Sequence, residues 1–342
     1  MTDPALDRAV LVRAVRTAVR VPSADAPYDT AHVTVRYPAL PAQNTVERMS
    51  GRLQADATGA PYPVAVLLSG INVGADAYAW LAVRLVEAGF VAVTYDWVGE
   101  LFPATEQTPA DHGLTPGVDI GAVGPDTYGT RPTTPALRPV LDAVAALGED
   151  GPLAGMIDTG AVALFGHSAG GTVALQSARP AWFPEIRAVA TYAAHTMASQ
   201  MLGHPPSTLL PAPVEVPVLL AAGTSDGVVA ASAVRYGEDP AATDRDPITA
   251  TWSQAVPATT EAWLVHLDGA THMLAAHPQD PSTARGFLEG PPTGDADAQR
   301  DALATTICTF FAAHVRGDAA AKDALELLAE QPRSEIAEIR RR

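Results

Sequence analysis

Short apolar runs alternate along this chain with amphipathic stretches of helical period. Residues 62–68 (YPVAVLL) are a continuous apolar run of strand length. Residues 75–88 (ADAYAWLAVRLVEA) carry apolar positions at intervals of three and four, and Gly89 ends that segment. A buried strand followed by an amphipathic helix then recurs. The pattern predicts strands over 90–95, 161–165, 186–192, 216–222 and 262–267. Helices are predicted near 137–147, after residue 168, and near 300–314 and 319–329. Upstream, residues 31–37 alternate like a half-buried strand, a further strand is expected near 52–57, and residues 1–20 read as an amphipathic helix lying on the body. Strands that alternate with helices imply an α/β fold, with a mostly parallel sheet covered on both faces.

No internal repeat or linker interrupts the rhythm. The reading is therefore one domain over 1–342, with an N-terminal helical extension at 1–30 and C-terminal helices at 298–342. Three long Pro- and Gly-containing stretches break the pattern, at 99–135, 229–260 and 275–297. Loops at the carboxyl ends of strands surround the ligand crevice of such a sheet. The first two stretches leave strands at that end and are expected to form cap or rim insertions, and the third is a further rim segment.

Composition narrows the class. With 342 residues, 47% hydrophobic and 18% charged, the chain can bury a substantial core. A formal net charge of −16 disfavours a nucleic-acid or anionic-membrane partner. The single cysteine, Cys308, permits no intrachain disulfide. No run is long enough to span a membrane, and the N-terminus lacks the uninterrupted apolar stretch of a secretion signal. The expected compartment is cytoplasmic.

The chemistry centres on residues 161–178, AVALFGHSAGGTVALQSA. An apolar strand runs into Gly166-His167-Ser168-Ala169-Gly170 and then into a helical segment, which is the G-x-S-x-G pattern in a strand–turn–helix context. Small neighbours let the backbone turn sharply and push the Ser168 hydroxyl out at the carboxyl end of the sheet. A serine nucleophile needs a base, and the base needs an acid to hold its tautomer. Asp226 follows the strand at 216–222 in GTSDGVV, and His272 follows the strand at 262–267 in DGATHM. Ser168, Asp226 and His272 thus stand in the order nucleophile, acid, base, each at a strand exit.

Other candidates fit less well. Asp239, Asp244 and Asp246 sit in a polar insertion with no preceding strand, and His266 lies within a strand as a packed or hydrogen-bonded residue. His277 and His314 fall in the rim and in a terminal helix, while Asp268 reads as a turn residue. The oxyanion of the reaction needs two backbone donors. The amide of Ala169 supplies one, and Ile71, after the turn at Gly70, is the expected second. Tyr78 and Trp80 read as core. The histidines lack metal-ligand spacing, and Gly70 and Gly74 do not complete a dinucleotide fingerprint, so neither a metal nor a cofactor is expected.

Four stretches resemble the α/β-hydrolase superfamily, and within it the group of dienelactone hydrolases, chlorophyllases and cutinase-like polyester hydrolases. They are PVAVLLSGINVGADAYAWLAVRLVEAGFVAVTYD, MIDTGAVALFGHSAGG, GTSDGVV and LDGATHM, and together they cover roughly residues 62–273. Ser69 departs from the His or Pro that often precedes the oxyanion-loop glycine. The absence of disulfides and of a signal peptide argues against a secreted polymer hydrolase. The resemblance implies an α/β-hydrolase fold and a serine hydrolase that cleaves a carboxylic ester or lactone in a small molecule through an acyl-enzyme on Ser168. It also implies substrate contacts at His195 and Thr196, and at Trp97 and Glu100. The alternatives are acyl transfer, thioesterase or amidase chemistry with the same triad, and a non-catalytic binding protein on the same scaffold.

Overall fold

In the computed structural model, which describes residues 10–102, 104, 106, 108–237, 246–282 and 284–342, ten strands join into one sheet. The chain begins with β1 (Leu11–Arg20), β2 (Thr30–Ala39) and the short helix α1 (Thr45–Ser50). Next come β3 (Tyr62–Leu68), α2 (Ala79–Glu87), β4 (Val91–Phe102) and β5 (Asp111–Leu114). They are followed by α3 (Leu137–Glu149), β6 (Ile157–His167), α4 (Ala169–Ser177), β7 (Ile186–Tyr192) and β8 (Val218–Gly223). The last part holds α5 (Gly227–Ala231), α6 (Pro247–Ala250), β9 (Ala262–Leu267), α7 (Ala296–His314), α8 (Ala319–Glu330) and β10 (Ile336–Arg341).

Across the sheet the order is β1-β2-β4-β3-β6-β7-β8-β9-β10, with β5 paired to the far end of β4. The strands from β4 to β9 in that order run parallel, and β2, β10 and β5 join antiparallel. The chain moves outward from β3 to β4 and then returns to β6 on the other side of β3. That reversal makes the carboxyl ends of β3 and β6 the switch point of the topology, the position at which open α/β sheets generally bind their ligands.

All seven residues of β3 are buried, and alternate side chains serve opposite faces. Val64, Val66 and Leu68 join a cluster with Leu137, Val140, Leu141 and Val144 of α3. Ala65 and Leu67 join a second cluster with Leu81 and Leu85 of α2 and Phe310 and Phe311 of α7. The spacing of the α3 residues puts them on one stripe of the helix, which is why this segment covers the sheet.

The N-terminal reading is corrected. Residues 11–20 are a strand and not a helix, paired along their whole length with β2 from Leu11 opposite Ala39 to Arg20 opposite Thr30. Val12, Val15 and Val19 have helical spacing, but each packs onto a core cluster from within the strand. Their branched side chains suit the pleat, and the ladder with β2 outweighs the period. Residues 1–9 of that expected helix lie outside the described residues. Residues 52–57 form no strand, only an isolated bridge between Ala55 and Ala39. The C-terminal region carries its two helices and then, beyond them, β10 against β9. The stretch from residue 99 begins as an extension of β4 that pairs with β5. Among the described residues, no helix is long and apolar enough to cross a membrane.

Candidate active site

Ser168 occupies the turn between β6 and α4 at φ 54°, ψ −125°, a conformation that costs energy for any residue with a side chain. The surrounding glycines are required by close approach. A Cβ on Gly166 would lie 2.3 Å from the Gly170 carbonyl oxygen, and one on Gly170 would lie 2.2 Å from that of Leu68. The Ser168 amide donates to the Tyr192 carbonyl at 3.0 Å, and its own carbonyl accepts from Gly171 and Thr172. The backbone is thereby tied on both sides. The hydroxyl is not: Ser168 Oγ makes no hydrogen bond among the described residues.

Asp226 leaves β8 and caps α5, where its Oδ1 accepts the Val229 amide at 2.8 Å. Its Oδ2 accepts from His272 Nδ1 at 2.8 Å, and each side chain is 6% exposed. Because Nδ1–H donates to the carboxylate, the lone pair of His272 stands on Nε2, where a general base needs it. The residue before the serine also meets His272. The His167 and His272 rings are 4.9 Å apart, and His167 Nε2 bonds to the His272 carbonyl at 2.9 Å. His272 is thus held beside the serine turn by its backbone and beside Asp226 by its ring.

The loop after β3 has one unused amide between used ones. Gly70 N–H donates to the Tyr78 hydroxyl at 2.9 Å, Asn72 N–H to the Leu114 carbonyl at 2.8 Å, and Val73 N–H to the Gly70 carbonyl at 3.2 Å. Ile71 N–H has no partner among the described residues. Ala169, at the first position of α4, has an amide with no partner in its own helix. Gly70 itself lies against the serine turn, since a Cβ there would stand 3.4 Å from Ser168 Cβ.

Glu289 belongs to the site and no sequence pattern marked it. Its Oε1 accepts the Met273 amide at 2.8 Å and its Oε2 the Gly227 amide at 3.0 Å. It therefore ties together the residues that follow His272 and Asp226. Burial raises its carboxyl above the ordinary value and the charge of Asp226 adds to this, against the pull of the two amides. The long segment at 275–297 was the only signal available.

His195 and Thr196 lie on the loop after β7, against the serine helix: Thr172 Oγ1 donates to the His195 carbonyl at 2.8 Å. The His195 ring meets Tyr236 edge-on at 4.9 Å, and burial lowers its pKa to about 4. Its Nδ1 accepts the Met197 amide at 3.2 Å. The Thr196 amide donates to Thr251 Oγ1, and its own hydroxyl is buried without a partner among the described residues. Trp97 is buried within β4 with its indole N–H on the Tyr28 carbonyl, which accounts for it as a packed residue. Glu100 is exposed on the ribbon of β4 and β5, opposite His112. Among the described residues, neither forms a hydrogen bond, ion pair or ring contact with Ser168, Asp226 or His272.

Several of the competing residues have contacts elsewhere. Asp246 and His266 bond to each other at 2.9 Å, His314 approaches Glu261 at 3.3 Å, and the Asp268 carbonyl accepts from Gln299. Asp239 and Asp244 lie outside the described residues. Among the described residues, no group of three or more His, Cys, Asp or Glu is arranged to hold a metal ion. No protein-family model matches this chain, and no curated protein matches it.

Proposed function

We propose that the chain has the α/β-hydrolase fold and is a serine hydrolase of carboxylic esters or lactones. The parallel sheet that reverses direction at β3, with a serine turn between β6 and α4, supports the fold assignment. The observation that carries the chemistry is the buried Asp226–His272 pair at 2.8 Å, formed at the exits of β8 and β9.

In this reading His272 Nε2 takes the Ser168 proton as the hydroxyl oxygen attacks the ester carbonyl. The carbonyl oxygen becomes an anion, held by the amides of Ile71 and Ala169. Each such donor is worth about 10²–10³ in rate, because it is aimed in advance at charge that appears only in the transition state. His272 then protonates the leaving alcohol, and the acyl group stays on Ser168. A water then gives a proton to His272 as its oxygen attacks the acyl carbon. When the acyl–oxygen bond to Ser168 breaks, His272 returns that proton to Ser168 Oγ and the acid leaves. Asp226 keeps its charge throughout and stabilises the imidazolium.

The test is a fluorophosphonate probe together with p-nitrophenyl esters of increasing acyl length, applied to wild type and to Ser168→Ala. Labelling and turnover restricted to the wild type are expected. A folded wild type that neither labels nor turns over would refute the assignment.

A further inference from the structure

A buried chain of hydrogen bonds joins three parts of the site that are far apart in sequence. Tyr78 OH lies 2.7 Å from His167 Nδ1, Gly70 N–H donates to the same hydroxyl at 2.9 Å, and His167 Nε2 lies 2.9 Å from the His272 carbonyl. Tyr78 is 1% exposed and His167 0%.

The direction of every bond is forced. A carbonyl only accepts, so His167 Nε2 carries a proton and donates to His272 O. Burial lowers the His167 pKa to about 3, so the ring is neutral and Nδ1 offers a lone pair. The Tyr78 hydroxyl therefore donates to Nδ1, and its oxygen is left to accept from Gly70. No member can reverse without breaking the others, so the chain has one state.

Its ends matter more than its interior. One end is the backbone of His272, the base. The other is the amide of Gly70, the residue before the free amide of Ile71. The middle member, His167, is the chain neighbour of Ser168. We propose that Tyr78 and His167 are positioning residues that set His272 and the Ile71 amide at matched places around Ser168. This rests on the hydrolase reading above and goes beyond it, because the reaction needs base and oxyanion donor in register at the same moment. Neither residue hydrogen-bonds to Ser168 Oγ or to the His272 ring, although the His167 ring packs 4.9 Å from that ring. A purely structural role would be met if the same contacts served only to satisfy buried polar groups.

The discriminating variant is Tyr78→Phe, which keeps the ring and removes one oxygen. Wild type and variant are compared on p-nitrophenyl acetate and on its thionoester, whose sulfur is a poor acceptor for an oxyanion donor. In folded Tyr78→Phe, kcat is expected to fall about 10–100-fold with KM changed less than about twofold, since the lost placement acts on the transition state. The ester-to-thionoester rate ratio is expected to fall with it, and His167→Gln, which can still donate and accept, to keep more activity than His167→Leu. A folded Tyr78→Phe with wild-type kcat and an unchanged ratio overturns the positioning role and leaves the hydrolase reading standing. A wild type inert to both esters and to fluorophosphonate overturns that reading and this inference with it. The ring nitrogens of His167 in ¹⁵N-labelled wild type provide a check that needs no variant: protonation at Nε2 is expected, and protonation at Nδ1 instead overturns the chain.

Discussion

The Glu289 carboxylate bonds to the amide of Gly227 at 3.0 Å and so stands next to Asp226, whose charge it opposes. Two carboxylates beside one histidine are costly, and the arrangement persists because Glu289 satisfies the Gly227 and Met273 amides together. Replacing Glu289 with Ala leaves two amides without their acceptor, a loss of about 1–3 kcal/mol each that relief of the buried charge partly offsets. The expected net destabilisation is about 1–3 kcal/mol in urea denaturation, with kcat/KM lowered about tenfold as the two loops come apart. A variant with wild-type stability and rate would mean that the clamp is idle.

The backbone of Ser168 gives a separate test. At φ 54° the side chain is strained, and glycine at the same position is not. Ser168→Gly and Ser168→Ala should both be inactive. The glycine variant is expected to be the more stable by about 1 kcal/mol, after allowing for the greater freedom of glycine in the unfolded chain. Equal stabilities in denaturant would show that the turn stores no strain.

Gly170→Ala should fail for a different reason. The added methyl would stand 2.2 Å from the Leu68 carbonyl oxygen and 2.5 Å from that of Ser69, both backbone atoms. Helix α4 would have to move away from β3. A destabilisation of about 3 kcal/mol or more is expected, at the upper end of overpacking effects. Any folded fraction should label poorly with fluorophosphonate, because the serine turn moves with the helix.

Acid should weaken the fold through its neutral histidines. His167 and His195 ionise near 6.5 when unfolded, whereas burial takes them to about 3 and about 4 in the folded protein. Below 6.5 the unfolded chain binds protons that the folded one refuses. Stability is therefore complete above that value and falls as the pH drops towards the folded pKa values, by about 1.4 kcal/mol per pH unit for each histidine. Denaturation of wild type and of His195→Gln at pH 7 and pH 5 checks this, and the variant should lose less on acidification. An equal loss in both proteins would mean that His195 does not contribute.

The pattern of the chain was most readable where one local requirement controls several residues. Gly166, Ser168 and Gly170 are constrained by a single sharp turn, so their spacing shows in the sequence. Asp226 and His272 follow strands whose apolar runs are unmistakable. The strand over residues 11–20 was unreadable, because its valines have helical spacing and only pairing with β2 makes it extended. Tyr78 was placed correctly in the core, but the use of its hydroxyl depends on His167, 89 residues away. Glu289 gave no signal of its own beyond the long segment at 275–297 that holds it. It acts through backbone amides, and any residue except proline could supply those.

The reversal of the chain at β3 also governs when such a site can exist. His167 is bonded to a residue 89 positions before it and to another 105 positions after it. During synthesis the serine turn emerges long before the strand that carries His272. Parallel strands cannot pair until the connections between them have closed, so contacts of this range form slowly. In the proposed hydrolase, a growing chain would carry Ser168 with no base to activate it. Reactivity would appear all at once, when β9 docks beside β8 and the last loop reaches the serine.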